Sequence, residues 1–176
     1  MAVVRRNQSD NASRPTQAVS DLRGLQAKLA DAGIGAVPVN VNAAAGYLGL
    51  KVAEEIMDGE LSGYLEHRNG AWYVGVNALH HRNRRRFTIA HEIAHYVLHR
   101  RDASSFHDNT FARRANSRDR MEQEADRFAA ELLMPEGAIR QSIANGVTSV
   151  SALADAFGVS ALAMKFRLKN LGFEVA

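Results

Sequence analysis

The chain has no cysteine among its 176 residues, which excludes a disulfide framework, a zinc ribbon and a thiol nucleophile together. Any metal site must therefore draw its ligands from His, Asp and Glu. Long apolar runs are missing as well. The opening residues MAVVRRNQSD contain nothing like the core of a signal peptide, and no later segment reaches the roughly 20 apolar residues that span a bilayer. A cytoplasmic location without membrane association is the expectation from these absences. Excess charge of one sign is small too: the formal net charge is +3 and the pI is near 9.5, too mild an excess to imply a nucleic-acid partner. No internal repeat or low-complexity segment is present. What remains is a globular composition, 46% apolar and 23% charged, in a chain long enough for one sizeable core and too short for two ordinary ones.

Local patterns divide that length. Residues 1–18 are polar and aperiodic, which predicts a disordered tail ahead of a single domain over 19–176. Ser20 reads as the cap of a helix carrying Leu22, Leu25 and Leu29 on one face and ending at Gly33. A short helix over Asn42–Leu48 closes at Gly49, followed by a strand over residues 50–56 and a turn at Asp58-Gly59. Residues 62–67 and 71–76 flank Asn69-Gly70, a dipeptide suited to the positive backbone angles of a type I′ hairpin. Beyond this the pattern turns helical. Asn83 is the expected cap of a helix reaching Arg101, residues 102–116 read as a polar linker, and a second long helix runs from Arg118 to Met134, stopped by Pro135. A helical pair over 147–172 completes the chain.

The chemistry concentrates in the first of the two long helices. Its segment RRRFTIAHEIAHYVLHR contains His91-Glu92-Ile93-Ala94-His95. Four residues advance a helix by about 6 Å and return to nearly the same face, so both imidazoles can reach one metal ion. Glu92 projects beside that ion, where a carboxylate can take a proton from water and later deliver it to a leaving amine. Phe87, Ile89, Ala90, Ile93, Ala94, Val97 and Leu98 make the helix apolar almost all round, which predicts burial. Buried polar groups need partners. The plainer interpretation, two core histidines satisfied by backbone carbonyls, leaves Glu92 without a role.

Catalytic zinc takes three protein ligands and keeps a fourth position open. His99 cannot be the third, because it lies about 12 Å along the axis from His91; capping the helix end, where the dipole favours a cation, is its expected role. No glycine follows His95 closely enough for the extended metzincin motif. The second long helix, RDRMEQEADRFAAELLMP, offers Glu122 as ligand, with Asp126 four residues on to accept a hydrogen bond from a ligand histidine's other ring nitrogen. Ala125 and Ala129 on the same face would allow close approach of the two helices. Glu124 is the rival ligand, but it points about 160° away from the alanine face and is expected in solvent.

With both helices read, the chain resembles the ImmA/IrrE family of metallopeptidases. The resemblance is carried by the run from Arg86 to Tyr96 and the run from Glu122 to Pro135, and spans roughly residues 40–172. It implies an α+β fold of zincin type, with a small antiparallel sheet packed beside a helical core and C-terminal helices. It also implies zinc (Zn2+) as cofactor, His91, His95 and Glu122 as ligands, and Glu92 as base. Asp126 stands where family members often carry Asn. The activity so implied is endopeptidase cleavage of a protein or peptide, such as a helix-turn-helix repressor. That partner would be a separate polypeptide, since residues 1–40 hold no repressor domain.

Other features have competing explanations. The strand Ala71–Val76 could be an edge that pairs with substrate backbone. Tyr73, Tyr96, His99 and His107 are candidates to stabilise an oxyanion. Residues 151–168 resemble a helix-turn-helix, yet Gly158 as turn and Ser160 as cap explain the same pattern, and Lys165, Arg167 and Lys169 are few for phosphate contacts. Direct nucleic-acid binding is not expected. Arg82, Arg84, Arg85 and Arg86 crowd a helix N-terminus against its dipole, a conflict that an acidic-partner surface or a nucleic-acid contact would explain, with a solvated basic turn as the plainer reading. The alternative function is a non-catalytic DNA- or protein-binding regulator, a toxin–antitoxin-like component with a structural or vestigial metal site.

Overall fold

The computed structural model describes residues 19–58, 60–109 and 120–175. The expected tail over 1–18 and Gly59 of the expected turn lie outside the described residues, as do residues 110–119, where the linker ends and the second long helix was expected to start. The architecture is α+β, a four-stranded sheet with helices.

Helix α1 (Leu22–Asp31) is capped by Asp21, whose Oδ1 accepts from the Gly24 N–H at 2.7 Å. This corrects Ser20 as the cap. Of the two adjacent polar residues, the carboxylate gains from the positive end of the helix dipole as well as from its hydrogen bond. Helix α2 (Val41–Tyr47) is capped by Asn40. Strand β1 (Lys51–Glu55) follows, then β2 (Leu61–Arg68) and β3 (Ala71–Asn77) around the hairpin. Asn69 and Gly70 both have positive φ, 51° and 74°, as a type I′ turn requires.

The sheet order is β1-β3-β2-β4. Two pairings are antiparallel, but β1 runs parallel to β3, with Lys51 opposite Tyr73 and Glu55 opposite Asn77. The sheet is therefore mixed, where the sequence predicted an antiparallel one. The hairpin uses the inner edges of β2 and β3, so β1 takes the remaining edge of β3. Strand β4 (Ser105–Asn109) takes the remaining edge of β2 and lies within the stretch read as linker. Its sequence SFHDN has one apolar residue, too few for a period-two signal; its partner strand supplies what its composition does not. Strand β3 is interior, so it cannot serve as the edge that receives a substrate backbone.

Helix α3 (Arg82–His99) lies against the sheet and against α4 (Arg120–Leu133). His81 caps α3, its Nδ1 accepting from the Asn83 N–H. Asn83, the expected cap, sits inside the first turn and donates its amide to the Val159 carbonyl at 2.9 Å. The arginines beside it are also engaged within the fold. Arg84 donates to Ser62 Oγ at 2.9 Å, Arg85 pairs with Glu54, and Arg86 donates to the Gly158 carbonyl at 2.9 Å. These contacts offset the unfavourable dipole, and the simple solvated turn does not describe them. Burial and the neighbouring Arg82 lower the Arg86 pKa.

Helix α5 (Glu136–Ala144) leads to α6 (Val150–Phe157) and α7 (Ala161–Asn170). Gly158 turns between them at φ 63°, and Ser160 caps α7 by accepting from the Ala163 N–H. Phe157, Met164 and Leu168 of this pair join the core that holds Leu65, Val74, Ile93, Ala129 and Leu133. No described helix is long and apolar enough to cross a membrane.

Candidate metal centre

Helix α3 presents His91 and His95 toward α4, and both are buried, with 0% and 1% exposure. The alanines make this approach close: Ala90 and Ala94 on α3 and Ala125 and Ala129 on α4 have no exposed surface. Glu122, in the first turn of α4, completes the group. His91 Nε2 is 3.0 Å from His95 Nε2 and 3.1 Å from Glu122 Oε2, while His95 Nε2 is 3.1 Å from Glu122 Oε1. Among the described residues these three form the group whose ligand atoms could hold a metal ion.

Proton placement tests whether a cation fits. His91 Nδ1 lies 2.9 Å from Asp126 Oδ1, so the nitrogen donates its proton to that carboxylate and Nε2 keeps a lone pair. On His95, burial outweighs the pull of Glu122 and lowers the pKa, so the neutral ring, the form that ligates metal, is favoured. Burial opposes ionisation of Glu122, but protons on the two facing Nε2 atoms of His91 and His95 would outweigh it and hold the carboxyl well below its ordinary range; a cation in place of those protons acts in the same sense. Two imidazole lone pairs and a carboxylate thus converge within about 3 Å, an arrangement that needs a cation at its centre. Bonds of about 2.0–2.1 Å in a tetrahedral site put ligand atoms about 3.3–3.4 Å apart, so the three side chains are close to closure already.

Glu92 is fully buried beside this group. Its setting depends on Gly63 in β2, which lies flush against α3. A Cβ at Gly63 would meet Thr88 Cγ2 at 2.4 Å and the Gly75 carbonyl at 2.6 Å, with Glu92 Oε1 at 3.7 Å. The carbonyl belongs to a paired strand and cannot step aside without moving the sheet. Gly63→Ala is expected to destabilise the chain by about 1–3 kcal/mol, as other overpacked interiors do. Gly46→Ala, on an exposed helical position with nothing within 4 Å of its Cβ, should stabilise by about 0.5–1 kcal/mol. Urea unfolding of both variants checks the opposite signs; equal shifts would remove the close contact at Gly63 from the account.

Strand alternation and ring contacts place the oxyanion candidates. Val74 and Phe106 face α3, so Tyr73 and His107 emerge on the opposite face of the sheet. There Tyr73 lies under Arg68, and His107 is beside Tyr64. Tyr96 is engaged edge-on with Trp72 at 5.7 Å and lies under Arg100. His99, expected to cap the helix end, is buried with 4% exposure, its Nδ1 3.0 Å from His95 Nδ1 and its Nε2 3.1 Å from Glu124 Oε2. Glu124 does not reach the three ligand atoms, yet it is more than a solvated side chain, since it pairs with both His99 and Arg120. Sequence reasoning gave no role to Phe106, which stacks on the His95 ring at 4.6 Å and 18°. It is the lone aromatic of β4, flanked by polar residues, and only strand pairing brings it to the site.

The family model Peptidase_M78, described as the IrrE N-terminal-like domain, matches residues 45–169. That range covers both helices of the site and extends to α7. The "Uncharacterized immunity region protein 2" of Bacillus phage phi105 is 30% identical over 97 residues, 55% of this chain and 60% of that relative. The chain therefore matches less than two thirds of the relative's length.

Proposed function

The chain belongs to the Peptidase_M78 family of IrrE N-terminal-like domains, and from that premise we propose that it is a zinc-dependent endopeptidase acting on a regulatory protein. A helix-turn-helix repressor is the partner class implied by the family resemblance, and a phage immunity-region relative supports a regulatory setting. The observation that carries the reading is the convergence of His91 Nε2, His95 Nε2 and Glu122 within 3.0–3.1 Å of one another, with Glu92 buried alongside.

His91, His95 and Glu122 would hold the ion, and Asp126 orients His91 through its Nδ1. Zinc in such a site supplies polarisation of the scissile carbonyl and an acidified water. Glu92 takes the proton of the attacking water and delivers it to the departing amine nitrogen. Glu92 is itself fully buried, as are Thr88, Ile89 and Ile93 on the same helix, so bulk solvent does not compete for the carboxylate.

The test uses the purified chain with zinc, a chelator and a helix-turn-helix repressor offered as substrate. One equivalent of zinc should copurify or be taken up, and a chelator should stop cleavage of the partner until zinc is restored. Absence of metal binding, or cleavage that continues in the fully stripped protein, would overturn the reading. A regulator that binds without cutting would hold its partner intact under all these conditions.

A further inference from the structure

We propose that His99 and Glu124 are positioning residues for the metal ligand His95, forming a directed relay from the buried site to the surface. The inference rests on the metal-site reading above and concerns what lies behind the ligand.

The geometry sets the direction. If His95 ligates through Nε2, its Nδ1 must carry the proton. The acceptor available to it is His99 Nδ1, at 3.0 Å. Accepting there leaves the His99 proton on Nε2, which faces Glu124 Oε2 at 3.1 Å. Glu124 is fixed in turn by Arg120, whose Nε donates to Oε1 at 2.7 Å. Each donor has an acceptor, and one tautomer of each ring satisfies the whole chain. Reversing either imidazole would place two lone pairs or two protons face to face.

Burial gives the relay its leverage. His95 and His99 are 1% and 4% exposed, and Phe106 stacks on one ring and lies 6.3 Å from the other. In this water-poor setting a hydrogen bond to the back of an imidazole is not replaced by solvent when it is lost. The two ligand histidines therefore have different supports: His91 rests directly on Asp126, and His95 reaches its carboxylate through a second histidine. The spacing of four between His95 and His99, which rules His99 out as a ligand, puts it in reach of the ligand's far nitrogen.

The experiment measures zinc affinity by competition with a chromogenic chelator, and the visible spectrum of the cobalt(II)-loaded protein, for wild type, His99→Leu, His99→Gln and Glu124→Ala. His99→Leu should weaken zinc binding about 10–100-fold, the usual effect of losing a ligand's outer partner, and should shift the cobalt bands. His99→Gln, whose amide can accept from His95 and donate to Glu124, should recover much of the loss. Glu124→Ala should give a smaller loss in the same direction. Zinc affinity and cobalt spectrum unchanged in His99→Leu, or Gln no better than Leu, would overturn the relay. Should Leu fail to fold, the surface variant Glu124→Ala decides, and unchanged affinity there would count against the proposal. If wild type itself binds no zinc, the metal site falls, and the relay with it.

Discussion

Glu92→Gln should retain zinc and lose cleavage by about 10²–10⁴-fold, the range a positioned general base contributes. Gln matches Glu in size, so the buried position is refilled without a cavity, but the amide cannot accept a proton at neutral pH. Glu122→Ala is its complement. It removes one of the three converging ligand atoms, and the two imidazole lone pairs 3.0 Å apart then face each other without the anion that accompanies them. That variant should lose both zinc and cleavage. Metal analysis beside a gel assay of the partner separates the roles. Cleavage by Glu92→Gln at the wild-type rate would remove Glu92 from the proton transfer, and full zinc retention in Glu122→Ala would remove that carboxylate from the site.

Phe157→Ala is expected to destabilise the protein by about 3–5 kcal/mol, at the upper end for single substitutions. The ring is completely buried at the C-terminus of α6, and the carbonyls of Phe157, Gly158 and Val159 accept from Arg86 and Asn83 of α3. A cavity there loosens the helical pair from the N-terminal turn of the helix that carries His91 and Glu92. Urea unfolding followed by circular dichroism should show one transition moved to lower urea, because the pair and the rest of the core share side-chain contacts. A separate early transition, with the remainder unchanged, would show that α6 and α7 unfold as an independent unit.

The parts of this fold written as local patterns were legible in the sequence. The Asn69-Gly70 hairpin, the cap at Ser160, the stop at Pro135 and the apolar periodicity of the two long helices are short-range effects. Each is decided by a few neighbouring residues, so a single chain suffices to read them. Ser20 and Asn83 were misplaced as caps for a related reason: several adjacent polar residues compete for one helix end, and the winner depends on charge and on distant partners such as the Val159 carbonyl. The family match over residues 45–169 bears out the ImmA/IrrE resemblance carried by the motifs of α3 and α4.

What the chain alone determined is the chemistry available: without cysteine, a metal must be bound by His and carboxylate, and helical spacing puts two imidazoles within reach of one ion. What only the tertiary structure decided is which groups stand behind and around them. Strand β4 exists because β2 offers it a free edge, the parallel pairing of β1 follows from which edges the hairpin leaves, and His99 becomes a partner of His95 because α4 brings Glu124 to its far nitrogen. Helix periodicity acts over a few residues and is printed in the sequence. Sheet order, and the hydrogen-bond partners of buried side chains, depend on contacts between segments far apart in the chain, and these form only when the whole core closes.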